Sequence, residues 1–241
     1  FLLPMAQLTF WSIQAFSNAF DGSRYWEFLS HSIVLSSLAA LLACTVVTMM
    51  VYAVRRHPDT VTRNAARIAT IGYALPGAVL AIGVYVPFAW LDGQLSAWLS
   101  QWLQIESGQI IQGTLVVMLI AYLIRFMAVS HYAIDSAMHR ITASIDEAAM
   151  SLGLNGWSII SKVHIPILKS GLFTAATLVF VDVMKEMPIT LMTRPFGWDT
   201  LAVRIYEMTS EGQWENAAIP ALTLVLAGLI PIFFFMRNTE H

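Results

Sequence analysis

Apolar residues gather into six long stretches, Leu2 to Phe20, Ile33 to Val54, Ile68 to Trp90, Ile110 to Val129, Gly171 to Met192 and Ala217 to Met236, with polar segments between them. A bilayer core of about 30 Å needs roughly 20 apolar residues in one helix, so each stretch predicts a membrane span. Outside the spans, Leu95, Trp98, Leu99, Trp102 and Leu103 repeat at helical spacing. Two readings stand for that segment: a helix lying in the headgroup layer, which tryptophan favours, or an ordinary amphipathic packing helix. Pro76-Gly77 predicts a kink in the third span, either as part of a gate or for packing alone.

Composition strengthens this reading. Apolar residues make up 57% of the 241 and charged residues only 12%, with a mean hydropathy of +0.66, more apolar surface than one soluble core of this size buries. The fold class predicted is all-α integral membrane. With 13 basic against 15 acidic residues, no concentrated basic face points to nucleic acid. The single cysteine, Cys44, sits in an apolar run and excludes a disulfide framework. The chain starts at Phe1, and its first stretch lacks a basic leader and a small-residue cleavage site. That reads as a cut inside a longer protein rather than a signal peptide.

The placement of charge orients the spans. Arg55, Arg56, Arg63 and Arg67 lie between the second and third, and Arg140, Lys162 and Lys169 between the fourth and fifth, whereas the loop around Asp92 and Glu106 holds no basic residue. The positive-inside rule puts the two basic loops and both ends of the chain in the cytoplasm, leaving Arg24, Arg194 and Arg204 outside.

The cytoplasmic loop over residues 132–169 is long for a bundle connection and patterned for structure. Ser144-Ile145-Asp146-Glu147 has capping-box spacing and predicts a helix start. Ala148 and Ala149 keep one face thin, Gly153 suits a left-handed helix end, and Asn155-Gly156 turns the chain. A second short helix, Trp157 to His164, is expected to end at Pro166. Leu152, Leu154 and Trp157 then share a corner suited to a groove on a partner.

These residues carry a family resemblance. Glu147-Ala148-Ala149, Gly153, Val163, Ile165 and Pro166 resemble the EAA loop of bacterial ABC importer permeases, E-A-A-x3-G-x9-I-x-L-P, with Val163 and Ile165 replacing the usual Ile and Leu. Lys185-Glu186-Met187-Pro188 and Arg194-Pro195-Phe196-Gly197-Trp198-Asp199-Thr200-Leu201-Ala202 resemble the ferric-iron branch of those permeases. The resemblance implies one permease domain over residues 1–241, a type I importer fold of six transmembrane helices in the bacterial inner membrane, and a coupling helix built from Glu147, Ala148, Ala149, Leu152, Gly153, Leu154, Trp157 and Pro166. It implies three partners: an ABC ATP-binding subunit that holds the ATP and Mg, a periplasmic solute-binding protein, and a second permease half, fused or separate. Thiamine, polyamine and phosphonate importers look similar, and ferric iron is the expected solute.

In the fifth span, Asp182, Lys185 and Glu186 are ionisable groups that lipid would penalise by about 3 kcal/mol each. Either they line an oxygen-rich path for a hard trivalent cation, or they form an ion pair at helical spacing that braces the bundle. Tyr206, Glu207, Glu211 and Glu215 form an acidic outer segment, read either as the docking surface for the binding protein or as a solvated loop.

No lysine follows a glycine, so no Walker A loop can be built here, and ATP is expected on a partner. The six histidines lack metal-binding spacing and read as surface or interfacial polar groups. An intramembrane enzyme would need a constellation that only Asp182 and Glu186 approach, and a channel would need a selectivity element. The cytoplasmic elbow, which neither requires, favours the importer.

Overall fold

The computed structural model describes residues 2–17, 22–103 and 109–239, and every regular element in them is helical. In chain order these are α1 Leu2–Ser17, α2 Gly22–Arg56, α3 Thr60–Ala69, a 3-10 turn Ile71–Ala74, α4 Gly77–Leu103, α5 Leu115–Met138, α6 Ala143–Ser151 and α7 Gly156–Ile159. A π turn Ile160–His164 leads into α8 Ile165–Met184, followed by α9 Pro188–Thr193, α10 Leu201–Ser210 and α11 Trp214–Thr239.

Among the described residues, five helical runs are long and apolar enough to cross a membrane: Arg24–Arg56, Gly77–Trp102, Leu115–Met138, Gly156–Met184 and Trp214–Phe233. The first expected span is not one of them. Its helix α1 has 16 residues, about 24 Å at 1.5 Å per residue, and packs along α11. The end of that predicted stretch, residues 18–20, lies outside the described residues, as does Glu106.

α2, α5 and α8 form the centre of the bundle, and two buried clusters hold it. One joins Leu35, Ala39 and Ala43 of α2 to Leu80 of α4, Met118 and Tyr122 of α5 and Val179 of α8. The other joins Val47 and Val51 to Ile134, Ala137 and Leu168. Small residues set the close approaches, since without a hydrophobic drive between membrane helices backbone proximity supplies the dispersion contacts. A Cβ on Gly171 would stand 2.4 Å from that of Ala137, and one on Gly72 would stand 2.2 Å from the Ile124 carbonyl oxygen. Val79 and Trp90 remain exposed on the outside, as lipid-facing positions do.

Three boundaries differ from the sequence expectation, each for a local reason. Pro76-Gly77 does more than kink the third span: helix stops at Ala69, a 3-10 turn follows, and α4 starts afresh at Gly77. α4 then runs through the Leu95–Leu103 segment as one helix, so that segment is neither separate nor a loop. Asp92 is buried within it and accepts from the Ile110, Ile111 and Gln112 amides at 3.1, 2.8 and 2.7 Å, fixing the turn that leads into α5. The fifth span ends at Met184 rather than Met192, because Pro188 has no N–H for a continuing ladder and restarts the chain as α9.

Candidate functional site

The elbow spans α6, α7 and the π turn. α6 begins at an N-cap Thr142 with extended backbone, φ −80° and ψ 160°, and no side chain caps it. The expected capping box is therefore absent. Ser144 lies inside the helix with its hydroxyl 2.8 Å from that of Thr142, and Glu147 is exposed. The cause is tertiary: Arg55 of α2 grips the Ile141 and Thr142 carbonyls at 2.7 and 3.3 Å, fixing where the chain leaves α5.

The far end of α6 forms as its sequence demands. Gly153 adopts φ +80°, and the Leu154 amide bonds the Ala149 carbonyl at 3.0 Å while the Gly153 amide bonds that of Met150 at 2.9 Å, the paired closure of a Schellman motif. Pro166 does not break the helix that follows. The Ile165 amide reaches back to the Ile160 carbonyl in a π turn, which absorbs the irregularity, and helix runs from Gly156 to Met184.

On the outer side of the elbow, Glu147, Ala148, Met150 and Gly153 are exposed. Leu152 and Trp157 are 82% and 63% exposed. Leu154 is half-buried, Pro166 is exposed, and Ala149 is buried beneath the helix, so the two alanines serve opposite faces. A cavity of about 820 Å³ opens beside Trp157 and runs between α2 and α8, lined among others by Leu41, Thr48, Pro166 and Phe173.

The inner side is polar. Asp146 accepts from Arg55 Nη2 at 2.7 Å and Nε at 3.1 Å on one oxygen, and from His164 Nε2 at 2.7 Å on the other. Burial alone would raise the Asp146 carboxyl, but the hydrogen bonds from His164 and Arg55, with their charge, outweigh it and hold it below the usual carboxylate range. His164, expected as a surface or interfacial polar group, is 1% exposed and so is not at the surface, and Tyr52 meets its ring edge-on at 5.6 Å.

A second charged cluster lies at the helix breaks. Lys185 pairs with Asp182 at 2.8 Å, as their spacing predicts, and its side chain is 63% exposed. Glu186 is buried and turns instead to Arg125 of α5 at 3.3 Å. Arg125 also donates to the Leu75 carbonyl beside the α4 break and lies 6.0 Å from the Tyr73 ring centre. The Glu186 side chain accepts from the Ile189 amide at 3.3 Å, and the Glu186 backbone carbonyl accepts from the Thr190 hydroxyl, itself 2.5 Å from that of Tyr122. A Cβ on Gly77 would stand 2.8 Å from Glu186 Oε1, so the glycine of the α4 break makes room for the carboxylate of the α8 break. The signal for Arg125 is a lone charge in the predicted fourth span. Arg55 gives none beyond its share of the basic loop.

The outer segment divides. Glu207 is taken up by Arg194 at 3.2 Å and Arg204 at 3.3 Å, and Arg194 also pairs with Asp199. Tyr206, Glu211 and Glu215 are exposed; Glu211 accepts from Gln213 at 3.0 Å, and Glu215 sits in the first turn of α11, where a helix N-terminus favours negative charge. The preceding stretch is a folded turn: Gly197 takes φ +79°, Trp198 stacks on His31 at 4.3 Å, Thr200 caps α10, and Phe196 stands fully exposed at the tip.

Comparison with known proteins adds the following. The family model for the binding-protein-dependent transport system inner membrane component matches residues 32–240. The chain is 27% identical, over 98% of its length, to the Fe(3+)-transport system permease protein FbpB 2 of Haemophilus influenzae, and spans 44% of that relative's length. It is 27% identical to the putative 2-aminoethylphosphonate transport system permease protein PhnV of Salmonella typhimurium, over 90% of this chain and 75% of that one. Among solved structures, a bacterial alginate ABC transporter chain, in complex with an alginate pentasaccharide-bound periplasmic protein, superposes with a TM-score of 0.70 at 15% identity, covering 97% of this chain and 86% of the other. A chain of the MetNI methionine ABC transporter in an inward-facing conformation does so at 0.60 and 18%, covering 89% and 92%.

Proposed function

The chain belongs to the binding-protein-dependent transport system inner membrane component family, and from that premise we propose that it is the permease half of an ATP-driven importer whose ATPase is a separate subunit. The observation that carries this reading is the elbow. A soluble face that exposes Leu152, Trp157 and Met150 on a closed helix end is built to be covered, and Glu147, Ala148 and Gly153 beside them offer a flat, close-fitting surface to an ATP-binding subunit. Closure of the ATPase pair would press the elbow and tilt the bundle between inward-open and outward-open states. The basic residues Arg55, Arg56, Arg140, Lys162 and Lys169 near the elbow support a cytoplasmic position for it.

The solute we propose is ferric iron, supported by the named activity of the Haemophilus influenzae relative. Phosphonate is the second reading, supported by PhnV. The path runs past Asp182 and Lys185 on a face turned to water or to a second permease half, with Glu186, expected there from the sequence, buried behind them on Arg125. Lys185 supports this, since an exposed ammonium at such depth in lipid costs about 3 kcal/mol. On the outer side, Tyr206, Glu211 and Glu215 meet a periplasmic binding protein, with Glu207 bracing their loop. ATP and Mg are bound by the partner subunit.

Uptake of radiolabelled ferric iron by cells expressing the complete transporter tests this, with unlabelled 2-aminoethylphosphonate, thiamine and putrescine as competitors. ATP-dependent iron uptake insensitive to all three is the expected result. ATP-dependent uptake of radiolabelled 2-aminoethylphosphonate without iron uptake would transfer the solute to the second reading, and ATP-dependent uptake of neither would refute the importer.

A further inference from the structure

Behind the exposed corner of the elbow lies a polar cluster to which the importer reading assigns no task. α6 has nine residues, too few to be stable alone. It packs only sparsely on every other element, with Ile145 resting on the Val47–Leu168 cluster and Ala149 buried. Apolar contact of this kind is non-directional and does little to set the rotation of α6 about its own axis. What fixes it is Asp146, whose two carboxylate oxygens are bonded by different membrane helices: Oδ2 by Arg55 in the last turn of α2, Oδ1 by His164 in the π turn that leads into α8. Arg55 adds the Ile141 and Thr142 carbonyls, where α5 gives way to α6.

We infer that Arg55, Asp146 and His164 are positioning residues that carry displacement of the elbow into α2, α5 and α8; this rests on the importer reading above. The geometry supplies the direction. Glu147 and Asp146 are neighbours in sequence, about 100° apart around α6, one exposed and one drawn inward, so a load on the outer face arrives one residue away at the inner tie. Charge-assisted hydrogen bonds are short and oriented, and a partly buried tie of this kind resists the shear that would let α6 pivot on its two connecting strands of backbone. The His164 ring is set for the task. Nε2 donates to Asp146, Nδ1 has no hydrogen-bond partner, and the ring edge rests on Tyr52. A π turn is often found where a helix must bring a functional side chain inward, and here it ends at His164.

Two substitutions of similar size separate this role from packing. His164→Gln keeps a side-chain N–H where Nε2 stands; His164→Leu fills the buried site but cannot donate. The complete transporter, with both halves, ATPase and binding protein, is reconstituted in proteoliposomes, and radiolabelled ferric iron moved per ATP hydrolysed is measured with the amount of ATPase retained. His164→Leu is expected to keep its ATPase and lower the iron moved per ATP about tenfold, the scale of one charge-assisted hydrogen bond, while His164→Gln stays within about twofold of wild type. Equal ratios for His164→Leu and wild type overturn the inference, as does an equal loss in both variants. Should His164→Leu fail to assemble, Asp146→Asn, which keeps the shape but loses the charge facing Arg55, is read instead: a lowered ratio supports the tie and an unchanged one overturns it. A wild-type complex that moves neither iron nor radiolabelled 2-aminoethylphosphonate overturns the importer reading and this inference together, and is seen before any variant is compared; one that moves only the phosphonate is assayed with that solute instead.

Discussion

At the elbow, Leu152 and Trp157 stand out to solvent while Asp146 is drawn in against Arg55 and His164; at the helix breaks, the apolar neighbours Val183, Met184 and Ile189 are packed away and Lys185 faces outward. The two regions invert each other because their surroundings do. On the importer reading proposed above, an end covered by another protein exposes apolar area and reserves its ions for bracing, whereas a site deep in the bundle keeps a charge exposed only where that charge is not spent on lipid. In both places a carboxylate on one element is held by an arginine from another, Asp146 by Arg55 and Glu186 by Arg125.

The sharpest way to break this comparison is at the deeper pair. Arg125→Ala leaves Glu186 buried without its counter-ion and is expected to destabilise the protein by about 3–5 kcal/mol, read as a large fall in thermal unfolding temperature in detergent, with uptake lost. An Arg125→Ala protein as stable as wild type would mean that the Arg125–Glu186 pair does not brace the helix breaks. Gly153→Val comes next. Nothing stands within 4 Å of the position its Cβ would occupy, but φ is +80°, so the cost is backbone strain alone, about 1–3 kcal/mol. Insertion should survive while uptake falls; normal uptake would count against the elbow as the coupling part.

Trp157→Ala separates docking from stability. The side chain is exposed, so unfolding should shift by no more than about 0.5 kcal/mol, while affinity for the ATPase subunit in a pull-down titration should fall about tenfold, as for a buried aromatic anchor. Equal affinity would remove Trp157 from the interface. The smallest effect is with pH. The folded Asp146 carboxyl sits below its ordinary value, near 4 when unfolded, so its contribution is fully present above that value and fades as pH falls through the depressed folded one. Asp146→Asn should flatten the acid side of the stability profile, and an unchanged acid side would show that the pair contributes nothing.

How much could be foreseen depended on distance along the chain. The Asp182–Lys185 pair follows from a three-residue spacing on one helix, and the Gly153 closure from a glycine at the end of a short helix; both formed as expected. The capping box did not, although its spacing was correct, because the helix start was taken over by Arg55, and Asp146 within the pattern was drawn to tertiary partners. Glu186 was visible as an ion in an apolar stretch, but its partner was not, since Arg125 comes from another helix.

The sequence by itself determined that the chain is a bundle of membrane-length helices with a structured elbow between two of them, because apolar length, glycine at a helix end and charge between spans are local properties that act wherever the chain goes. Tertiary structure alone decided where helices stop inside the bundle, which carboxylate meets which arginine, and that His164 turns inward. Those outcomes rest on side chains far apart in sequence competing for the same donors and acceptors away from water, where an unpaired group is costly and the winning pair is chosen by the packing of whole helices.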